Sequence, residues 1–405
     1  MLFLITALAA LALLHGYPAL RIIPTLGLTR GWIAGLWIAV AFFTLLPITP
    51  IILRVNGFEN AATDILSWIG YTSLGFFSLT FLVVVFRDLG WVALAAGAKG
   101  LSLFRDWTAA DSATSSGFDP GRRQFLILVM NVGLLGVSGG LSAYGMVQAR
   151  RKPTVMEVDV PVANLPDGLR GLRIVQISDL HIGPTIKGDY VQRVVDQVNE
   201  LVPDLLAITG DLVDGSVDYL AGDVAPLAQL QARYGRYFVT GNHEYYSGAD
   251  HWLQEVDRLG ITCLQNEHKV LEIGGAPLVV AGVTDLQAHQ VLPAHRTDPK
   301  AALAGAPEEA IRLLLAHQPG SIFAANELGV HLQLSGHTHG GQFRPFDYAV
   351  AATHPYIADL HDHNGTWIYV NRGTGYWGPP LRLGIPSEIT VLTLVPAQGQ
   401  AGLGS

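Results

Sequence analysis

Four apolar stretches, Met1 to about Leu20, Trp32 to Leu53, Ile65 to Phe86 and Phe125 to about Val147, approach or reach the ~20 residues a helix needs to cross a hydrocarbon core. Lipid offers the backbone no hydrogen-bond partners, so such stretches have to be helical. They define a four-helix transmembrane region over residues 1–150. His15, Gly16 and Pro18 interrupt the first stretch. No A-x-A-like cleavage site follows it and further spans do, so it reads as an uncleaved anchor rather than a signal peptide. Pro47 and Pro50 are expected to kink the second helix. Half of the 405 residues are hydrophobic and only 14% are charged, which is too apolar for an ordinary soluble enzyme.

Positive charge between the spans sets the expected orientation, because short loops rich in Lys and Arg stay in the cytoplasm. Arg21 and Arg30 follow the first span, and Arg87, Lys99, Arg105, Arg122 and Arg123 follow the third. The other side holds Arg54 after the second span and Arg150, Arg151 and Lys152 after the fourth. Seven against four places the C-terminal domain outside the cytoplasm, in a multi-pass protein of the cell membrane. The run RRQFLILVM (Arg122 to Met130) reads equally as a twin-arginine export signal or as two arginines anchoring a helix end.

Residues 106–123 are polar and read as a loop. After Lys152 the pattern changes. Residues 151–170 read as linker and first strand, 171–397 as a catalytic domain and 398–405 as a tail. Short β-branched runs at Leu172–Ile177, Leu205–Thr209, Tyr237–Thr240, Leu278–Val283, Ile311–Ala316, Leu332–Leu334, Trp367–Val370 and Ile389–Val395 look like buried strands, with helical patterns such as Tyr190–Leu201 between them. The layout is α/β. From residue 151 on there are sixteen Lys and Arg against twenty-seven Asp and Glu, which argues against nucleic acid as a partner. Cys263 is the only cysteine, so neither an intrachain disulfide nor a thiolate-rich zinc site can form.

The chemistry sits at the strand ends. VQISDLHIG ends in Asp179 and His181, LLAITGDLVDG carries Asp211, YFVTGNHEYY carries Asn242 and His243, LLLAHQPG ends in His317, and LQLSGHTHGG ends in His337 and His339. Open α/β sheets gather ligands at the carboxyl ends of their strands, so these segments would meet in one crevice. Glycines beside them would permit sharp turns. Oxygen and imidazole donors without thiolate suit Mn²⁺, Fe or Zn²⁺. Seven such residues are too many for one ion with an open position and suit two ions sharing a carboxylate. His243 would then protonate a leaving alkoxide or stabilise phosphoryl charge.

The order D-x-H, G-D, G-N-H-E, a lone H and G-H-x-H resembles the calcineurin-like metallophosphoesterases over roughly Leu172 to Val395. That resemblance implies a four-layer α/β/β/α sandwich and two divalent cations, manganese favoured. It further implies that Asp179, His181 and His339 hold one cation and that Asn242, His317 and His337 hold the other. Asp211 would bridge them, with His243 on the substrate phosphate and leaving group. DLHIG, GHTHGGQ and NRGTGYWGPPLRLG resemble a membrane-associated bacterial branch related to UDP-diacylglucosamine pyrophosphohydrolases.

Other features read more plainly. GTGYWG matches G-x-G-x-x-G, but Pro379 and Pro380 follow where a dinucleotide motif needs a helix. Arg372 and Arg382 are candidates to pair with substrate phosphate. Tyr245, Tyr246, Tyr376 and Trp377 would line an apolar entrance or serve in packing. Asp214 and Asp218 read as a solvated face, and His361 and His363 as a solvated loop. The expectation is a dinuclear phosphoesterase that cleaves a phosphomonoester or phosphodiester by attack of metal-bound hydroxide. Tethering to a bilayer favours a lipid-linked or envelope substrate. The alternative is a catalytically silent metal-binding sensor or assembly subunit, whose mark would be a damaged ligand set; none of the seven is missing.

Overall fold

The computed structural model describes residues 2–108 and 120–397, in two compact units: Met1–Gly57 with Ile65–Tyr144, and Phe58–Asp64 with Gly145–Ser405. The tail at 398–405 and most of the expected loop at 106–123 lie outside the described residues.

The first unit is built from α1 (Leu2–Ile22), α2 (Arg30–Leu45), α3 (Thr49–Val55), α4 (Ala61–Thr108) and α5 (Pro120–Ala149). Four helical segments, Ile5–Leu26, Arg30–Val55, Ala61–Lys99 and Gly121–Ala149, are long and apolar enough to cross a membrane. Pro47 does more than kink the second: α2 stops at Leu45, residues 46–48 turn, and α3 restarts with Pro50 in its first turn. Gly70 makes room for that break, since a Cβ there would lie 3.0 Å from the Leu46 carbonyl oxygen. The third span does not end at Phe86. The helix continues through Arg87, Asp88 and Lys99 to Thr108. Asp88 accepts from Tyr17 (2.7 Å) and Arg21 (2.7 Å), and Arg87 bridges Asp88 (2.8 Å) and Asn131 (2.5 Å). These charges therefore link helices instead of ending one.

In the second unit the strands are β1 (Thr154–Val162), β2 (Arg173–Ile177), β3 (Leu205–Thr209), β4 (Arg236–Val239), β5 (Thr262–Cys263), β6 (Glu267–Ile273), β7 (Ala276–Gly282), β8 (Ile311–Leu315), β9 (Leu332–Ser335), β10 (Asp359–His363), β11 (Thr366–Val370) and β12 (Glu388–Pro396). They form two six-stranded mixed sheets, in the orders β1-β12-β2-β3-β4-β5 and β10-β11-β9-β8-β7-β6. β2, β3, β4 and β5 run parallel, as do β7, β8, β9 and β11.

A shared core lies between the sheets, with Ile174, Leu205 and Val239 from one and Val280, Leu313 and Leu334 from the other. On the outer face of the first sheet pack α6 (Gly188–Glu200), α7 (Val217–Val224) and, after the short α8 (Asn242–Ser247), α9 (Ala249–Arg258). The spacing of Tyr190, Val191, Val194, Val195 and Val198 gives α6 its single buried stripe. Trp252 of α9 is fully buried, and truncating it would cost about 3–5 kcal/mol. The second sheet is covered by α10 (Pro299–Ala302) and α11 (Ile322–Glu327). The result is four layers, helix, sheet, sheet, helix. All eight anticipated runs are strands. His361 and His363, read from sequence as a loop, lie on β10 as an edge strand paired antiparallel to β11.

Candidate metal centre

Each expected ligand follows the carboxyl end of a parallel strand: Asp179 and His181 after β2, Asp211 after β3, Asn242 and His243 after β4, His317 after β8, and His337 and His339 after β9. The two sheets are tied at this end by Gln176, whose amide donates to Thr209 Oγ1 (2.8 Å) and to the Ser335 carbonyl (2.9 Å). The glycines do not carry all the sharp turns. Asp179, His181, Asp211, His337 and His339 themselves have φ between +50° and +73°, a region L-residues seldom occupy. Backbone strain of this kind persists only where surroundings enforce it. Here Asp179 accepts from the His337 N–H (3.0 and 3.1 Å), and Asp211 Oδ1 accepts from that of His243 (2.9 Å).

Three groups have ligand atoms within 4.8 Å of one another: Asp179, His181 and His339; Asp211, His317 and His337; and, between them, His181, Asp211 and His243. Two pairs of ring nitrogens face each other, His181 Nε2 with His339 Nε2 at 3.0 Å and His337 Nδ1 with His317 Nε2 at 3.2 Å. Asp211 Oδ2 stands 3.1 Å from His317 Nε2 and 3.9 Å from His181 Nε2. His317 Nδ1 donates to the Thr209 carbonyl (2.7 Å), which leaves Nε2 to face the site. Asn242 Oδ1 is buried without a hydrogen-bond partner. A buried orphan oxygen is costly unless something electropositive meets it. Oxygen and imidazole donors, facing nitrogens and this orphan oxygen together fit divalent cations.

The electrostatics favour positive charge in the same place. Burial alone would lower the His317 imidazole, but Asp211 and Asp179 raise it well above its ordinary value. His337 is pushed down to about 3 by burial and by His317, and His339 is held low by burial and Arg382. Both are thereby neutral, as ligands must be.

Two residues essential to this arrangement escaped the sequence reading. Asp214 does not belong to a solvated face; its carboxylate turns inward to His243 Nδ1 (2.5 Å) and His181 Nδ1 (3.2 Å). Its spacing from Asp211, at the end of the same strand, was the available signal. Glu244, quoted in G-N-H-E without a role, is fully buried and accepts from the N–H groups of Asp211 (3.0 Å), Leu212 (2.7 Å), Val213 (3.3 Å) and Gly241 (2.6 Å). It shapes the loop that presents Asp211.

Arg382 is buried. Its guanidinium donates to the carbonyls of His339 (3.2 Å), Arg372 (2.8 Å), Gly373 (3.3 Å) and Gly375 (2.5 Å), which knits the histidine loop to the glycine-rich loop. Arg372 lines a cavity of about 570 Å³ with His354, Tyr356 and Ile385, but Glu388 (2.7 Å) and Asp359 (2.5 Å) neutralise its charge. Tyr245 and Tyr376 are core residues. Tyr246 and Trp377 are exposed, with rings 5.5 and 5.9 Å from that of His243. Gln342 fixes the Trp377 backbone by two hydrogen bonds of 2.9 Å.

Residues 172–341 match the calcineurin-like phosphoesterase family. A transmembrane protein with metallophosphoesterase domain from Danio rerio is 37% identical over 340 residues, 81% of this chain and 74% of its own length. Its namesake from Bos taurus is 40% identical over 265 residues, 63% of this chain and 60% of that one. An uncharacterized metallophosphoesterase of Helicobacter pylori strain J99 is 35% identical, with 69% and 74% covered. The chain belongs to the calcineurin-like metallophosphoesterase family, the metal-dependent phosphoric ester hydrolases.

Proposed function

We propose that the chain hydrolyses a phosphomonoester or phosphodiester at a centre of two divalent cations, manganese favoured. Asp179, His181 and His339 would hold one, Asn242, His317 and His337 the other, and Asp211 both. The observation that carries this reading is the pair of facing imidazole contacts beside the orphan Asn242 oxygen. When bound, such cations lower the pKa of a water molecule and neutralise charge on phosphoryl oxygens.

The remaining work falls to the chain. His243 Nε2 lies 4.0 Å from Asp211 Oδ2, at the rim of the donor cluster. Against the effect of burial, Asp211 and Asp214 raise its imidazole to about 9, which favours the protonated form. Asp214 on Nδ1 leaves Nε2–H to face the donor cluster, where it can give its proton to the departing oxygen. Tyr246 and Trp377 beside it would meet an apolar or flat leaving group. Four candidate spans, and relatives named as transmembrane proteins, support a lipid-linked or envelope substrate. Basic residues concentrated in the other loops support an extracytoplasmic domain.

Full-length protein in detergent should lose turnover of p-nitrophenyl phosphate or bis-p-nitrophenyl phosphate on chelation and regain it with Mn²⁺. Asp211→Asn should lower kcat for these esters by about 10²–10⁴, and His243→Ala should do so for n-butyl phosphate, whose poor leaving group needs the proton. Undiminished turnover in both variants would refute the assignment.

A further inference from the structure

The segment Phe58–Asp64, between the second and third apolar helices and more than a hundred residues before the family's matched region, packs as part of the catalytic unit. Glu59 accepts from the Ser216 N–H at 3.1 and 3.3 Å and from the Ser216 hydroxyl. A Cβ at residue 215 would lie 2.8 Å from Glu59 Oε1, so any larger residue there would displace this carboxylate. Five residues on, Asp64 accepts from the Tyr219 hydroxyl (2.8 Å) and pairs with Lys187 (3.0 Å), which also reaches Asp223 (3.4 Å). Two carboxylates, Glu59 in the loop and Asp64 in the first turn of α4, thus grip the first turn of α7 and the residues leading into it.

Those residues continue directly into the metal centre. Asp214 stands two positions before Ser216, and its carboxylate holds both His243 and His181. Trp252 Nε1 holds the Gly215 carbonyl (2.9 Å) and Ser247 accepts from the Gly215 N–H (3.2 Å), so Glu59 completes the clamp on the 214–216 turn.

We propose that Glu59 is a positioning residue for the reaction: through Ser216 and Gly215 it fixes Asp214, and through Asp214 it sets the direction of the His243 Nε2–H. This rests on His243 delivering a proton to the leaving group. It makes the loop between two membrane helices part of the catalytic apparatus, acting without touching substrate.

A residue that acts through proton delivery leaves a signature that a merely structural contact does not. In the full-length protein, Glu59→Ala should lower kcat about tenfold for n-butyl phosphate or dibutyl phosphate, whose poor leaving groups need the proton. The loss should be about twofold or less for the p-nitrophenyl counterparts, with KM unchanged. Glu59→Gln, which keeps an acceptor oxygen, should restore most of the lost rate. Gly215→Ala, which displaces the carboxylate from the other side, should reproduce the Glu59→Ala pattern and serves if that variant fails to fold. In an Asp214→Asn background Glu59→Ala should add nothing, since the two changes break one path. Equal losses for both leaving groups, or additivity with Asp214→Asn, would overturn the proposal. So would an unaffected Glu59→Ala beside chelator-sensitive wild-type turnover, which leaves the phosphoesterase reading standing. Chelator-insensitive wild-type turnover would remove that reading and this proposal together.

Discussion

Glu244→Gln is the smallest change that tests how the Asp211 carboxylate is held. Glu244 Oε2 accepts from the N–H groups of Asp211 (3.0 Å) and Gly241 (2.6 Å), and Oε1 from those of Leu212 (2.7 Å) and Val213 (3.3 Å). A glutamine of the same shape must turn its NH₂ toward one of these pairs whichever way it flips, so two buried donors lose their acceptor. Each unsatisfied buried donor costs about 1–3 kcal/mol, which gives about 2–6 kcal/mol in all. For a unit of this size that lowers Tm by on the order of 10 °C. The Asp211 backbone, held at φ +50°, relaxes with the loop, so metal affinity falls as well. Thermal melting in detergent, with metal content measured on the same preparations, reads both effects. A glutamine variant with wild-type Tm and full metal content would refute the reasoning.

Gly336→Ala should remove the cation that Asp179 would hold, because the new Cβ would fall 2.2 Å from Asp179 Oδ2 and 2.0 Å from Ser178 Oγ; elemental analysis should show about one metal fewer per chain. The Cys263 thiol, pushed up to about 12 by burial and then by Asp257, should be almost wholly protonated at pH 8 and gain roughly tenfold in alkylation rate per pH unit; fast labelling of the native chain by iodoacetamide at pH 8 would contradict this.

The sequence made the parallel strands and their terminal ligands legible for one reason. A strand buried on both faces is an unbroken apolar run, as in Leu205–Thr209, and a polar residue just after it stands out. Edge strands lack that mark. β6 is exposed or half-buried except at Ile273, and β10 is the polar run DLHDH, whose pairing with β11 decides its conformation. Charge misled twice. Arg87 looked like the start of a loop after the third span, although partners on neighbouring helices let α4 continue. Asp214 looked solvated because its two imidazole partners come from Leu180's neighbour on one loop and from α8, which composition does not reveal. Arg372 and Arg382 are alike in sequence, and only burial separates the one at the cavity from the one locked among carbonyls.

The donors come from both sheets, with β2, β3 and β4 supplying Asp179, His181, Asp211 and Asn242, and β8 and β9 supplying His317, His337 and His339. Cations gripped there would act as rivets through the seam of the sandwich, and their binding free energy would add to the work of prying its halves apart. Metal supply would then govern the lifetime of the folded chain as well as its turnover, and starvation for the ion would expose the protein to proteolysis before any substrate accumulated.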